Sequence, residues 1–555
     1  MSRTLSNRLD FIEPRLQAAS GHLEKSVYGV VDKVVDGEPN IIRAWKGTIG
    51  NMVETDEEPT ILFAEKLEPA ILKHKKYKCF FGGRAGTKSI FGMDMMIGEV
   101  NSTGCGVFCL REKMKSLSQS IYKGINGRIG QLDFAGFIPV ESKWKIDHRN
   151  GGIISFGGLM NVRDMKSLFE YKYFLLEESD QTSQEAIDIL GPTLRGVPGA
   201  ELWYMWNPGS ANDPMSTEFI IPYQEYLDRD GFYEDDYHLL ISIGFEDNPW
   251  FMGDESLRTE YYKDKSKNEA GLMSDSRFNH IWKGAYNDDI ENSLIDPDWF
   301  DACVDAHIKL GIQPKGAKVF THDPADTGPD PKAWMVRHGI VFEEAEEIEA
   351  PTANDAFDIA CGLAIDRKVD IFGWDCDGMG ALLRRQASEN FNGVKIDTFM
   401  YKGSEGVFMP EAICEHAEFF DMKGSKKNKD VFKNKRAQNY VGLAERCRKT
   451  YDAVKNKTYY DPDELVSFSS KIKVLQKLRS ELCRLPLKPN ATNSIELYTK
   501  QEMKKGIIMP DGSKRKIPSP NLGDCAKMSF DNAAIIRRKV VSVRPKPLKP
   551  MGKRR

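Results

Sequence analysis

Short apolar runs, each stopping at a glycine or a polar residue, recur through the first half of this chain. Tyr77–Phe81, Gly106–Leu110, Gly152–Phe156, Tyr171–Leu176 and Leu202–Trp206 have few polar positions, which predicts strands buried on both faces. Between the first two lies Ile90–Val100, a Met-rich apolar stretch that predicts a core helix. The second half follows another order. Lys318–His322 predicts a strand that ends at Asp323, and Ala333–His338 with Ile340–Ile348 predicts a hairpin turning at Gly339. Asp355–Arg367 places Ala356, Ile359, Ala360 and Leu363 at helical spacing, and Asp370–Trp374 is one more buried strand. The pattern as a whole is α/β.

Size and composition refine that picture. At 555 residues the chain is too long for one core, so two large domains with appendages are expected. With 41% hydrophobic and 29% charged residues it has the make-up of a soluble globular protein, and no apolar run is long enough to span a bilayer. The polar start, MSRTLSNRLDFIEPR, lacks the pattern of a signal peptide. The formal charge of −4 gives no global positive field, so any nucleic acid must be met by local basic patches. The ten cysteines are scattered; Cys105 and Cys109 are the closest, and no second pair stands at zinc spacing. Buried free thiols in a reducing compartment, by default the cytoplasm, are expected.

Chemistry enters at Cys79–Ser89, CFFGGRAGTKS. A strand running into a glycine-rich turn and then Lys-Ser is how a phosphate-binding P-loop is built. Gly82, Gly83, Arg84, Ala85, Gly86 and Thr87 form the candidate cradle, Lys88 reaches phosphate, and the Ser89 hydroxyl ligates Mg²⁺. The usual second glycine is replaced by Thr87, a β-branched departure. Farther on, YKYFLLEE ends in Glu177 and Glu178. Such a pair suits an ATPase, in which Glu177 supports Mg²⁺ and Glu178 polarises the attacking water. Asn207 follows the strand Leu202–Trp206, where an amide can sense a γ-phosphate. Without the P-loop upstream, the Glu pair reads rather as an acidic helix start, and Asn-Pro after a strand is simply a turn.

In the second half, strand–strand–strand–helix–strand is the order of an RNase H-like fold, with carboxylates after its first and fourth strands. Asp323 and Asp375 stand at those ends, the latter in DCDGMG. Two-metal phosphodiester cleavage needs hard oxygen ligands converging on ions about 3.5–4 Å apart. A third acid is expected on a late helix, and Asp524 opens a helical run reaching Ala534. Asp326, Asp330 and Asp377 are possible accessories. The basic run KGSKKNKDVFKNKR (423–436) and the ending RPKPLKPMGKRR are solvated segments or phosphate contacts.

The series GGRAGTKS, GGLMNVRDMKS, FLLEESDQTS, WNPGS and Asp247-Asn248-Pro249-Trp250 resembles the ATPase half of phage terminase large subunits. Similar segments follow at His280–Gly284, at FKNKRAQNY and at Pro518–Asp524, so the resemblance spans roughly residues 75–535. It implies a P-loop NTPase domain followed by an RNase H-like nuclease domain. The boundaries expected are 1–69 of unknown role, 70–250 ATPase, 251–316 junction, 317–540 nuclease and 541–555 basic tail. It also implies ATP with Mg²⁺, two divalent ions (Mg²⁺ or Mn²⁺) on Asp323, Asp375 and Asp524, and a transition-state role for Arg84. The partners implied are double-stranded viral DNA, a procapsid portal protein, a small terminase subunit and further copies in a ring. The place implied is the host cytoplasm, transiently at the portal, and not the mature virion. Two rivals stay open: a helicase or repair ATPase without nuclease activity, and a non-catalytic DNA-binding or scaffold protein.

Overall fold

A computed structural model of the chain describes residues 61–111, 121–159, 171–288, 293–324, 332–416, 426–488, 494–508 and 514–532, with the backbone of short strands between 32 and 52. The chain divides into two compact units, Met1–Asn287 and Asp288–Arg555. That boundary falls inside the 251–316 stretch expected as a junction, so residues 251–287 belong to the first unit.

The first unit opens with β1 (Asp32–Val35), β2 (Glu38–Trp45) and β3 (Ile61–Ala64), an antiparallel sheet in that order. The main sheet follows: β4 (Tyr77–Phe81), α1 (Lys88–Thr103), β5 (Gly106–Arg111), β6 (Phe137–Val140), β7 (Lys145–His148), β8 (Ile153–Gly158), β9 (Tyr171–Glu177), β10 (Glu201–Trp206), β11 (Phe232–Glu234) and β12 (His238–Ser242). Its nine strands run β11-β12-β4-β10-β9-β5-β8-β7-β6. From β12 to β8 the pairing is parallel, and the outer strands β11, β7 and β6 add antiparallel.

The apolar runs are continuous because both faces are covered. Along β10, Trp203 and Met205 face one core with Phe80 and Phe91, while Leu202, Tyr204 and Trp206 face the other with Cys79 and Phe81. Ile61 and Phe63 join the first of these cores, so the end of the 1–69 segment is integral to the unit.

A charged pair is sealed between β4 and β10. Lys78 and Glu201 are almost fully buried and meet at 2.8 Å, with Lys78 also donating to the carbonyl of Ala70. Burial pulls Lys78 below an ordinary lysine, and Glu201 opposes that pull.

The second unit is built on β13 (Lys318–Asp323), β14 (Lys332–His338), β15 (Val341–Ile348), β16 (Ile371–Asp375), β17 (Asp397–Tyr401) and β18 (Ser467–Phe468), in the order β17-β16-β13-β14-β15-β18. β13, β14 and β15 are antiparallel neighbours, and β16 returns parallel to β13. The helix Ala353–Asp366 covers one face, packing Phe357 and Ala360 on Phe320, Phe372 and Trp374. The opposite face takes the helices Lys435–Lys455, Leu475–Cys483 and Asn521–Met528, through residues such as Tyr440, Leu482 and Cys525. The helix Asn521–Met528 ends at Met528, where the sequence led to a continuous run through Ala534; Ser529 caps it, its carbonyl and hydroxyl both bonded by the Arg337 guanidinium, and Ala533 and Ala534 lie outside the described residues. Asp326, Asp330, most of Gly158–Ser167, part of the basic run and the tail lie outside the described residues.

Removing one partner of a buried pair leaves the other charge uncompensated. Lys78→Met is expected to destabilise the protein by about 3 kcal/mol, read from chemical denaturation. Adding Glu201→Gln is expected to restore more than half of the loss; no recovery would mean that the lysine acts through packing alone.

Candidate functional site

Glycine-rich backbone shapes the loop after β4. A Cβ on Gly83 would lie 2.2 Å from the carbonyl oxygen of Trp282, so only glycine fits there. Gly284 adopts φ +71°, and a Cβ there would come within 2.5 Å of the Gly82 Cα. The helix Asp275–Lys283 and its glycine stop therefore form one wall of the loop. The Arg84 amide donates to Ile281 O at 2.7 Å, and Asn248 Nδ2 donates to Ala85 O at 2.8 Å. In the sequence HIWKG and DNPW belong to the resemblance, with no contact assigned to either. Here both brace the loop, from some 160 residues downstream for Asn248 and nearly 200 for Ile281.

Thr87 sits at φ +62°, ψ 0°, the left-handed geometry that explains why a glycine is usual at this place. Its hydroxyl is buried without a hydrogen-bond partner among the described residues. Lys88 folds back over the loop, donating to Gly82 O (3.0 Å) and Gly83 O (2.7 Å). Burial holds its ammonium down to about 8. The loop thus carries a half-buried ammonium whose acceptors among the described residues are backbone carbonyls.

The Ser89 side chain hydrogen-bonds the Glu177 carboxyl at the end of β9. Burial raises Glu177 above the ordinary range, and Ser89 and Arg111 oppose that. Glu178 turns away in a left-handed conformation (φ +50°) and pairs with Arg111 at the end of β5, a partner the sequence reading did not assign. Arg84 is exposed and meets Glu260 at 2.9 Å. Asn207 lies after β10 with Nδ2 3.4 Å from His280 O, and its Oδ1 is buried without a partner among the described residues.

The second unit gathers charge at the ends of its central strands. Asp323 ends β13, Asp375 ends β16, and Asp524 projects from the Asn521–Met528 helix. Thr321 Oγ1 donates to Cys525 O at 2.9 Å, which pins that helix to β13. Gly380 lets the DCDGMG turn close, since a Cβ there would stand 2.0 Å from Asp375 O. The three acids line one cavity of about 560 Å³ with Arg436, Lys500 and Lys527. Asp377 lies at its edge, accepting from Ser404 Oγ and N.

Lys500 bridges two of the acids, 2.8 Å from Asp323 Oδ2 and 3.0 Å from Asp524 Oδ2. Burial lowers its affinity for a proton, but the two carboxylates win and raise it above an ordinary lysine. Asp375 is pushed up to about 7, first by burial and then by Asp323. Burial alone would raise Asp524 too, yet Lys527, Lys500 and Arg436 hold it well below the usual carboxylate range. Among the described residues no three acids, histidines or cysteines surround one point closely enough to ligate an ion as they stand. The donor set nevertheless fits hard divalent cations, because three carboxylates share a cavity in which an ammonium already bridges two of them. Lys500 was not among the residues expected from sequence. It is one lysine in a lysine-rich stretch, without a local signal.

The model of a family described as phage terminase large subunit matches residues 74–277. No curated protein matches the chain. Among solved structures, the nuclease domain of the large terminase subunit gp2 of bacterial virus Sf6 is 43% identical, covering 42% of this chain and 97% of that one, with a TM-score of 0.38. A mutant of the same domain, solved with manganese and β-thujaplicinol, is 42% identical over the same shares, with a TM-score of 0.39. A large terminase from a thermophilic bacteriophage, solved with ADP, is 10% identical, covering 79% of this chain and 95% of that one, with a TM-score of 0.33.

Phosphate bound beside Lys88 favours its charged form, so binding is linked to a proton. Affinity for a non-hydrolysed ATP analogue is expected to be flat up to about pH 8, where the free ammonium begins to lose its proton. Above that it is expected to fall by up to about tenfold per pH unit, measured by titration calorimetry. Affinity unchanged to pH 9.5 would remove Lys88 from the phosphate site.

Proposed function

This chain belongs to the phage terminase large subunits, the ATPase and nuclease of viral genome packaging, and we propose which of its residues perform each task. The first unit, in essence residues 70–287, is the motor. Backbone amides of Gly82–Ser89 cradle the phosphates, and Lys88 leaves the Gly82 and Gly83 carbonyls to meet them. Ser89 and Glu177, already hydrogen-bonded, would hold the Mg²⁺ of MgATP. Glu178 orients the attacking water once it parts from Arg111, and Asn207 reports the γ-phosphate. Arg84, within the loop and solvent-facing, is the candidate for stabilising transition-state charge.

The second unit, in essence residues 317–532 of those described, is the nuclease. Asp323, Asp375 and Asp524 would hold two divalent ions, Mg²⁺ or Mn²⁺. When bound, such ions activate a water and offset charge on the phosphate and the leaving oxygen. The chain's own part is to deliver three carboxylates from two strand ends and a helix. Asp375 must give up its proton, and Lys500 must leave Asp323 and Asp524. Arg436 and Lys433, which line the same cavity, suit the phosphates of the incoming strand.

DNA and the packaging machinery are the partners of this family. The finer reading is that the chain works as a ring on the procapsid portal, with a small terminase subunit choosing the viral DNA. No helix among the described residues is long and apolar enough to cross a membrane. The host cytoplasm, with transient docking at the portal, is the place this reading requires.

The observation that carries the proposal is the convergence of Asp323, Asp375 and Asp524 from three elements on one cavity. Supercoiled plasmid with Mn²⁺ or Mg²⁺ tests it beside ATP hydrolysis. Asp375→Ala is expected to lose cleavage by about 100-fold or more while hydrolysing ATP normally, and Lys88→Ala to show the reverse. Equal cutting by wild type and Asp375→Ala would put the nuclease site elsewhere.

A further inference from the structure

We propose that Tyr440 and Lys527 make Asp524 a one-oxygen ligand and so bias the nuclease cavity toward small divalent ions. This rests on the nuclease reading above and concerns how one of its acids is presented. The two oxygens of Asp524 have different surroundings. Oδ1 accepts from the Tyr440 hydroxyl at 2.8 Å and from Lys527 Nζ at 2.8 Å, with Arg436 Nε at 3.9 Å. Oδ2 faces Lys500 at 3.0 Å.

The donors on Oδ1 are built in. Tyr440 and Lys527 are as buried as Asp524 itself. The Lys527 ammonium is held between two aromatic rings, 4.4 Å from the centre of Tyr401 and 5.3 Å from that of Tyr440. It lies one helical turn after Asp524, so helix geometry alone keeps the two together. Lys500 is different: it starts a separate six-residue helix, and its side chain is about one-third exposed. Of the donors around Asp524, Lys500 is the one placed to withdraw. An ion replacing it meets Oδ2, while Oδ1 stays saturated.

Denticity bears on ion choice. Ca²⁺ takes 6–8 oxygens and often grips a carboxylate by both, whereas Mg²⁺ holds near-octahedral geometry with one oxygen from each of one or two carboxylates. Blocking Oδ1 withholds the second oxygen from the larger ion and costs the smaller ion little. Tyr440 and Lys527 are therefore positioning residues that act through Asp524.

The test uses the full chain without DNA or nucleotide. Mn²⁺ binding is followed by electron paramagnetic resonance and Ca²⁺ binding by competition, for wild type, Tyr440→Phe and Lys527→Met. Each is also measured with Asp524→Asn. Tyr440→Phe is expected to raise Ca²⁺ affinity about 5-fold or more while Mn²⁺ affinity moves less than about 2-fold, and Lys527→Met to strengthen both with Ca²⁺ gaining more. Both effects are expected to vanish with Asp524→Asn, which by itself should weaken Mn²⁺ binding. A Ca²⁺/Mn²⁺ ratio unmoved by Tyr440→Phe, where Asp524→Asn does weaken Mn²⁺, overturns this inference alone. Mn²⁺ binding untouched by Asp524→Asn overturns the metal-site reading with it. For a variant that fails to fold, the wild-type protein with ¹³C-labelled aspartate supplies the answer. The Mg²⁺-induced carboxylate infrared bands are expected to show one-oxygen ligation at the position lost in Asp524→Asn, and a two-oxygen signature there overturns the proposal.

Discussion

Like charges buried together are the constraint on which the second unit depends. Asp323, Asp375 and Asp524 share one cavity where water screens them poorly, and three carboxylates cannot all stay ionised there without positive charge nearby. The chain answers in three ways. Lys527 and Arg436 are fixed cations beside Asp524, Lys500 bridges Asp524 to Asp323, and Asp375 keeps a proton to about pH 7. A site balanced like this is poised to accept further positive charge.

The first unit uses backbone shape in place of side-chain charge. Its candidate phosphate loop has its form because glycines press against the Trp282–Gly284 turn, and because Thr87 accepts a left-handed conformation. Lys88 rests on loop carbonyls and Glu178 on Arg111. Lys88, Glu178, Asp323 and Asp524, to which we assign chemistry, are each engaged with other groups of the chain, so that in the proposed reading ligand binding is an exchange of partners.

Much of this was legible in the sequence. Doubly buried strands announce themselves as unbroken apolar runs, and Leu202–Trp206 reads that way because alternate side chains fill two cores. Glu177, Asp323 and Asp375 stood out because carboxylates directly after such runs fall at strand ends, and all three do end strands. The bracing residues were not legible. Trp282 and Gly284 act through backbone contacts with a loop some 200 residues earlier, and no periodicity encodes that. Arg111 and Lys500 matter through the carboxylates they meet in space. Tyr440 ends the FKNKRAQNY segment without a role assigned from sequence, and only the fold brings its hydroxyl to Asp524.

The most direct measurement is anomalous diffraction from crystals of the protein soaked in Mn²⁺. Mn²⁺ peaks are expected among Asp323, Asp375 and Asp524, with the Lys500 ammonium withdrawn from both carboxylates it now bridges. Crystals whose ATP site remains intact, but in which Lys500 still spans Asp323 and Asp524 with no Mn²⁺ between the acids, would contradict it.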